Sequence, residues 1–257
     1  MLKPLSKNRI KFYQKLNQKK FRDKENLYII SGLRGVQSAL ENDAGCAFEI
    51  IIEDGKENLL EKIGINQHKN ATTVSAKDFK LLNDEINPQG ICLIAKKTAT
   101  AFNVDLIQPG QIIFLDRISD PGNLGTILRS AAWFGIKTIL LSANSADPFQ
   151  PKVVRSSAGA INSVSIFENV TSLEISQIKS QKDYKIFGTD VVNGRSLAAT
   201  TFSEKTLFLF GSEAHGLDNE YKNLCDENTL IPKTGTGESL NLANAASIVM
   251  YQASLNK

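Results

Sequence analysis

Short continuous apolar runs alternate with helical stripes along this chain, in two groups that divide near residue 100. In the first group Ile10, Tyr13, Leu16 and Asn17 keep helical spacing, which predicts a helix over about residues 8–20 with its lysines on the opposite face. "LYIIS", "AFEIIIE" and "ICLIAKK" predict strands, and a second helix is expected from Gly32 to Glu41. The stretch "TATAFNVDLIQPG", Thr98 to Gly110, loses periodicity and closes on Pro-Gly, as a linker does. Beyond it come "QIIFLDRI", a helix from Asn123, "KTILLSA", a helix from Pro151, then "SVSIF", "YKIFGTD", "TLFLFGS" and "NTLIP", and a last helix from Ser239. Uninterrupted apolar strands separated by helices predict an α/β fold with a parallel sheet covered on both faces. The expected organisation is a small α/β domain over 1–98, a linker over 99–109, and a parallel-sheet domain over 110–257.

Charge adds a direction to this picture. The net charge of +3 is mild, but Lys3, Lys7, Arg9, Lys11, Lys15, Lys19, Lys20, Arg22 and Lys24 lie within the first 24 residues, opposed only by Asp23. That concentration is a candidate phosphate footprint, with Lys15, Lys19, Lys20 and Arg22 as its leading members; a solvated amphipathic helix fits the same composition. Cys46, Cys92 and Cys225 are odd in number and lack CxxC spacing, so neither a disulfide framework nor a zinc site is indicated. With His68 and His215 as the chain's two histidines, far apart, a histidine metal site or a Ser/His triad has little raw material, and no metal is expected. No apolar stretch approaches the roughly 18–20 residues needed to span a bilayer, and the start lacks a signal-peptide core; no membrane association is expected, and the cytosol is the expected compartment.

Ligands of parallel sheets gather at strand carboxyl ends, and three such ends carry unusual residues. The first is "DRISDPGNLGTILRSAAWFG", where Asp116, Arg117, Asp120, Asn123 and Arg129 crowd a corner between two core elements. Leu124, Ile127, Leu128 and Ala131 mark the helix's core face, and Arg129 falls about 140° from its centre, toward solvent, a partner or a ligand. Asn123 suits either an N-cap or the orientation of a neighbour. The second is "LFLFGSEAHGL", where Glu213 follows a buried strand and Gly211 invites close approach to bare backbone. The third is "IPKTGTGESLNLANAASIVMYQ": it lacks GxxxxGK[ST], no GxGxxG opens a helix, and Ser239 sits where an N-cap is expected. The absent dinucleotide fingerprint also leaves a nicotinamide-dependent oxidoreductase without support.

Together the three loops resemble, in order and spacing, the motifs of the SpoU (TrmH-like) family of RNA ribose 2′-O-methyltransferases in the SPOUT superfamily, and the basic first part is similar to the RNA-binding domain many members carry. The resemblance implies a carboxyl-terminal trefoil knot over about Phe208 to Ala246 and a homodimer with active sites near the subunit interface. It implies S-adenosylmethionine as methyl donor, contacted at Gly211, Ile231 and Leu240, with Thr189 a further candidate. It assigns activation of the ribose hydroxyl to Arg129, supported by Asn123, with Glu213, Ser239 and Asn241 near the site. "PKVVRSSAGA" is similar to a family segment that would bring Arg155 near RNA or the dimer partner; an exposed helix start is the plainer account. Ser31 stands where many relatives have glutamate, and Ala214-His215 replace smaller or more polar residues. The expected activity is 2′-O-methylation of ribosomal RNA, with transfer RNA, or a nonenzymatic RNA-binding or ribosome-assembly role on the same fold, as alternatives.

Overall fold

A computed structural model describes residues 2–64, 70–83, 85–97, 101–190 and 193–255. The first elements are β1 (Lys3–Pro4), α1 (Lys7–Gln14), α2 (Lys19–Glu25), β2 (Leu27–Ser31), α3 (Leu33–Asn42), β3 (Ala47–Glu53), α4 (Leu59–Lys62), β4 (Ala71–Val74), α5 (Ala76–Leu82) and β5 (Ile91–Lys96). There follow β6 (Ile112–Leu115), α6 (Pro121–Trp133), β7 (Thr138–Leu141), α7 (Pro151–Ser156), β8 (Ser165–Phe167), α8 (Ser172–Lys182) and β9 (Lys185–Thr189). The chain ends with β10 (Arg195–Ser196), β11 (Thr206–Phe210), α9 (Asn219–Lys222), β12 (Glu227–Leu230) and α10 (Leu242–Ser254). These elements form two compact units, one of Met1–Thr98 with Asp147–Ser163, the other of Ala99–Ala146 with Val164–Lys257. The segment Asp147–Ser163, from the second half of the sequence, therefore packs as part of the first unit. Residues 99 and 100 of the expected linker, and His68, lie outside the described residues.

The first unit is a mixed five-stranded sheet in the order β1-β4-β3-β5-β2. Ile10, Tyr13 and Leu16 pack with Ile29, Ile51, Phe79, Leu82 and Ile94, the buried side that the spacing of the first helix predicts. The helix expected over 8–20 is in fact broken. α1 and α2 are separated by a tight turn over Lys15–Asn17 and an extended Gln18 (φ −104°, ψ 134°). The bend lets the second piece bury Arg22 in the core while the first buries Tyr13.

The second unit is a seven-stranded, fully parallel sheet in the order β10-β12-β9-β11-β6-β7-β8. β6, β7 and β11 are buried along their whole length, which is why they read as unbroken apolar runs. From β6 the chain moves outward through β7 to β8, then returns so that β11 lands on the other side of β6. The strand order reverses between β6 and β11, and a crevice at the carboxyl ends is expected at such a point.

Two helix starts differ from expectation. α6 begins at Pro121, its first turn capped by the Asp120 carboxylate, which accepts from the Asn123 amide at 2.7 Å. Asn123 is thus not the cap, and its side chain is released for other use. α10 begins at Leu242, capped by Asn241 rather than Ser239. α8 has no apolar stripe strong enough to predict it, yet it carries a capping box in which Thr171 and Glu174 each satisfy the other's backbone amide.

Candidate active site

The two corners flanking the β6/β11 reversal, and the cap of the last helix, meet through side-chain amides. Asn241 Oδ1 accepts from the amides of Ala243 and Asn244 at 3.0 and 3.3 Å, so capping directs its Nδ2 outward. That Nδ2 donates to Asn123 Oδ1 at 2.9 Å. With its oxygen engaged, Asn123 turns its own Nδ2 to Glu213 Oε1, at 2.5 Å. Each amide orientation follows from its neighbour's, beginning with a helix cap. The three motif loops are therefore joined through Asn123. Among the described residues, Glu213 Oε2, the second proton of Asn123 Nδ2 and the second proton of Asn241 Nδ2 have no partner and can meet a polar ligand, and all three residues are at least partly exposed.

On the other side of Gly211 the residues are of a different kind. Thr189 ends β9, Gly211 follows β11 and Ile231 follows β12, and the register pairs Leu209 with Gly188 and Thr189 with Thr229. In a parallel sheet these three ends therefore lie side by side, adjacent strands being about 4.8 Å apart. Thr189 Oγ1 donates to the Leu209 carbonyl at 3.1 Å and is occupied in joining two of the strands. Ile231, half-buried where β12 ends, sets an apolar side chain in that row of backbone groups, and Leu240, further along the same loop, is half-exposed. Gly211 cannot be replaced without rebuilding the loop: a Cβ there would lie 2.0 Å from backbone atoms of Gly216 and Leu217. Bare backbone beside exposed aliphatic side chains fits a ligand with a flat heterocycle, and a nucleoside-bearing cofactor suits that site.

Arg129 lies six residues beyond Asn123 on α6, about 9 Å further along the axis. It is exposed, and its guanidinium makes no hydrogen bond or ion pair among the described residues. Neither Arg129 nor exposed Ser239 is joined to the Asn123 cluster by a hydrogen bond. Around Arg129 the surface is apolar. Trp133, one turn beyond Arg129, is 85% exposed, and Ile248 and Tyr251 of α10 are exposed in line with Leu255 just past its end. The two helices are pinned by a 2.8 Å hydrogen bond between Ser130 and Ser247. Among the described residues, no group of three or more His, Cys, Asp or Glu side chains is arranged to hold a metal ion.

In the first unit Lys15, Lys19 and Lys20 are exposed, with Lys15 Nζ 5.4 Å from the centre of the Phe21 ring. Arg22 requires a correction. It is 3% exposed and gives two nitrogens to Asp147 Oδ2, at 2.6 and 3.2 Å, and a third to the Leu16 carbonyl at 2.7 Å. A guanidinium so engaged is a core strut and takes no part in a phosphate footprint. Arg155 is half-buried at the end of α7, lining a small cleft with Asn17, Ser31 and Asn83. Burial raises the Glu85 carboxyl above its usual range, while the charge of Arg155 pulls it the other way.

Residues 110–251 match the SpoU rRNA Methylase family, and residues 7–93 match the MRM3-like substrate binding domain. The 23S rRNA guanosine 2′-O-methyltransferase RlmP of Bacillus subtilis is 29% identical over 248 residues, covering 95% of this chain and 94% of that protein. Among solved structures, a putative RNA methyltransferase of the TrmH family from Porphyromonas gingivalis superposes with a TM-score of 0.83 at 28% identity, covering 96% of this chain and 97% of the other. An AdoMet-bound rRNA methyltransferase from Sinorhizobium meliloti gives 0.81 at 26% identity, over 98% and 95%.

Proposed function

Because this chain belongs to the SpoU rRNA methylase family, we propose that it transfers a methyl group from S-adenosylmethionine to a ribose 2′-hydroxyl of ribosomal RNA. The observation that carries this is the meeting of Asn123, Glu213 and Asn241 at the β6/β11 reversal, beside the donor-suited row at Thr189, Gly211 and Ile231. The relatives named for 23S rRNA align along nearly the whole chain, which favours ribosomal over transfer RNA.

S-adenosylmethionine, when bound, supplies an electrophilic methyl group on a sulfonium. Gly211, Ile231 and Leu240 would hold it, largely through backbone and apolar contact. The chain's own task is to align a weak nucleophile. Glu213 Oε2 can accept from a ribose hydroxyl, and the amides of Asn123 and Asn241 can donate to one, so these groups orient the ribose. Arg129 meets the proton problem in one of two ways. A guanidinium ordinarily stays protonated, which suits it to bind phosphate and stabilise developing negative charge on the 2′-oxygen while the hydroxyl proton passes to solvent. In the other role the guanidine itself accepts the proton.

The chain from about Phe208 to Ala246 is a trefoil knot in this reading, supported by the placement of β11 between β9 and β6 after β10 has formed the far edge. The protein works as a homodimer through the Trp133, Ile248, Tyr251 and Leu255 face, an apolar surface of the kind that marks an interface. Arg129 lies at its edge, near the site. Trp133→Glu is expected to convert a dimer to a monomer in sedimentation; a wild type that sediments as a monomer contradicts this. The cytosol is the compartment that accords with free thiols at Cys46, Cys92 and Cys225.

The first unit holds the RNA through Lys15, Lys19 and Lys20. Replacing all three with glutamine should flatten the salt dependence of RNA binding by about 0.7 to 0.9 log units per lost phosphate contact. An unchanged slope would return these lysines to a solvated face. The function itself is tested by transfer of labelled methyl to RNA from a strain lacking the protein, with the product mapped by resistance to alkaline cleavage. Label confined to one ribosomal ribose is the expected result. Binding of donor and RNA without transfer would favour a nonenzymatic role.

A further inference from the structure

The corner after β6 holds a second polar group, which the site described above does not use. Asp116 is 2% exposed, yet its carboxylate is fully engaged: Oδ1 accepts from Ser142 Oγ at 2.9 Å, and Oδ2 from the Asp218 amide at 2.9 Å and from Arg117 at 3.0 Å. Arg117 then reaches Asp218 Oδ2 with its other terminal nitrogen, at 3.2 Å. It does so from a left-handed backbone (φ +50°), with its amide donating to Ser142 Oγ at 2.7 Å and its Nε buried without a partner among the described residues. A non-glycine residue in that conformation persists only where its surroundings over-determine it.

What this pair grips is the loop that carries Glu213. The Asp116 amide donates to the Phe210 carbonyl at 2.8 Å, before the loop, while its carboxylate holds the Asp218 amide after it. Between those points Ser212 and Gly216 exchange two backbone hydrogen bonds, of 3.1 and 2.9 Å, closing a small ring with Glu213 inside. Such a ring is rigid in itself but can pivot on its two legs. Both legs end on Asp116, and Arg117 braces the second of them through Asp218.

We propose that Asp116 and Arg117 are positioning residues for methyl transfer, a clamp on both legs of the 211–217 loop that fixes the Glu213 carboxylate against Asn123. The proposal rests on the methyl-transfer reading above. It explains why a buried carboxylate and a half-exposed guanidinium stand together at this corner with their bonds directed to each other and to the loop. Without the clamp Glu213 remains present but misplaced, and displacement of a positioning group by about 1 Å is enough to cost about 100-fold in rate.

The test is a double-mutant cycle. Arg117→Met, at a half-exposed side chain, is expected to lower kcat at least about tenfold with little change in KM for RNA. Glu213→Gln should lower kcat further, and the double variant should be no slower than Glu213→Gln alone, because the clamp acts through Glu213. A merely structural defect would instead multiply. Amide hydrogen exchange supplies a readout independent of activity: in Arg117→Met the 211–218 segment should exchange at least about tenfold faster, with α6 unchanged. Should Arg117→Met fail to fold, Asp218→Asn, which keeps the cap of α9 and severs only the outer ion pair, is expected to show the same two effects at smaller size. Multiplicative kcat losses, or unchanged exchange in the loop, overturn the clamp. A wild type that transfers no methyl group to any RNA overturns the methyl-transfer reading instead, and the exchange measurement still decides the clamp.

Discussion

Arg129→Ala is expected to lower methyl transfer at least about 100-fold, the low end for a group that handles a proton in catalysis, while leaving the fold intact. The side chain is exposed and pairs with nothing among the described residues, so its removal exposes no cavity and strands no partner. Surface changes of that sort typically alter stability by about 0.5 kcal/mol or less. Thermal unfolding and donor binding should therefore match wild type, and near-normal turnover would remove Arg129 from the mechanism. Arg129→Lys separates its two roles. If the cation binds phosphate and stabilises the 2′-oxygen, lysine keeps part of the rate and the pH profile stays flat near neutrality. If the group accepts the proton, a lysine must first be neutral, and the rate should climb with pH toward about 10.4, the usual lysine pKa.

The second large effect belongs to stability. Arg22→Ala is expected to destabilise the first unit by about 3–5 kcal/mol, the range for removing one partner of a buried ion pair. Asp147 would be left at 8% exposure with a charge and, of its present partners, the Phe149 amide, which donates to Oδ1 at 2.9 Å. Denaturation should be followed with a probe in the first unit, because two units need not unfold together. Arg22→Met combined with Asp147→Asn should recover much of the loss, since the uncompensated charge is gone and the amide keeps its acceptor. A loss below about 1 kcal/mol for Arg22→Ala would mean that the pair is effectively solvated. At a temperature where the variant is folded, the salt slope of RNA binding should be unchanged, in contrast to the lysine variants.

Arg22 shows what composition cannot reveal. Nine basic residues in the first 24 are visible at once, but which of them points inward depends on the bend at Gln18 and on Asp147, 125 positions away. The same holds for the caps. Asp120, Asn123, Ser239 and Asn241 are all acceptable caps by chemistry; the caps are Asp120 and Asn241, which leaves the Asn123 side chain facing both Glu213 and Asn241. The apolar pattern does not predict α8, whose signal, the Thr171 and Glu174 capping box, lies at its start rather than along its length. Asp116 was conspicuous as a polar residue at a core corner, but its partners Ser142, Phe210 and Asp218 come from two other loops and a neighbouring strand.

The sequence by itself determined the parallel sheet, since strands buried on both faces must be continuously apolar, and it determined the inward face of α6 and the outward direction of Arg129, since both follow from a local period of 3.6 residues. It also brought the three loops into view, because polar and glycine residues at strand ends break an apolar pattern that is otherwise regular. Only the tertiary structure decided that β11 lies beside β6, that Asp147–Ser163 packs with the first unit, and that Asn123 joins Glu213 to Asn241. These are pairings between residues 90 to 134 positions apart, made by hydrogen bonds whose geometry depends on both ends at once, and no period along one segment encodes the position of the other.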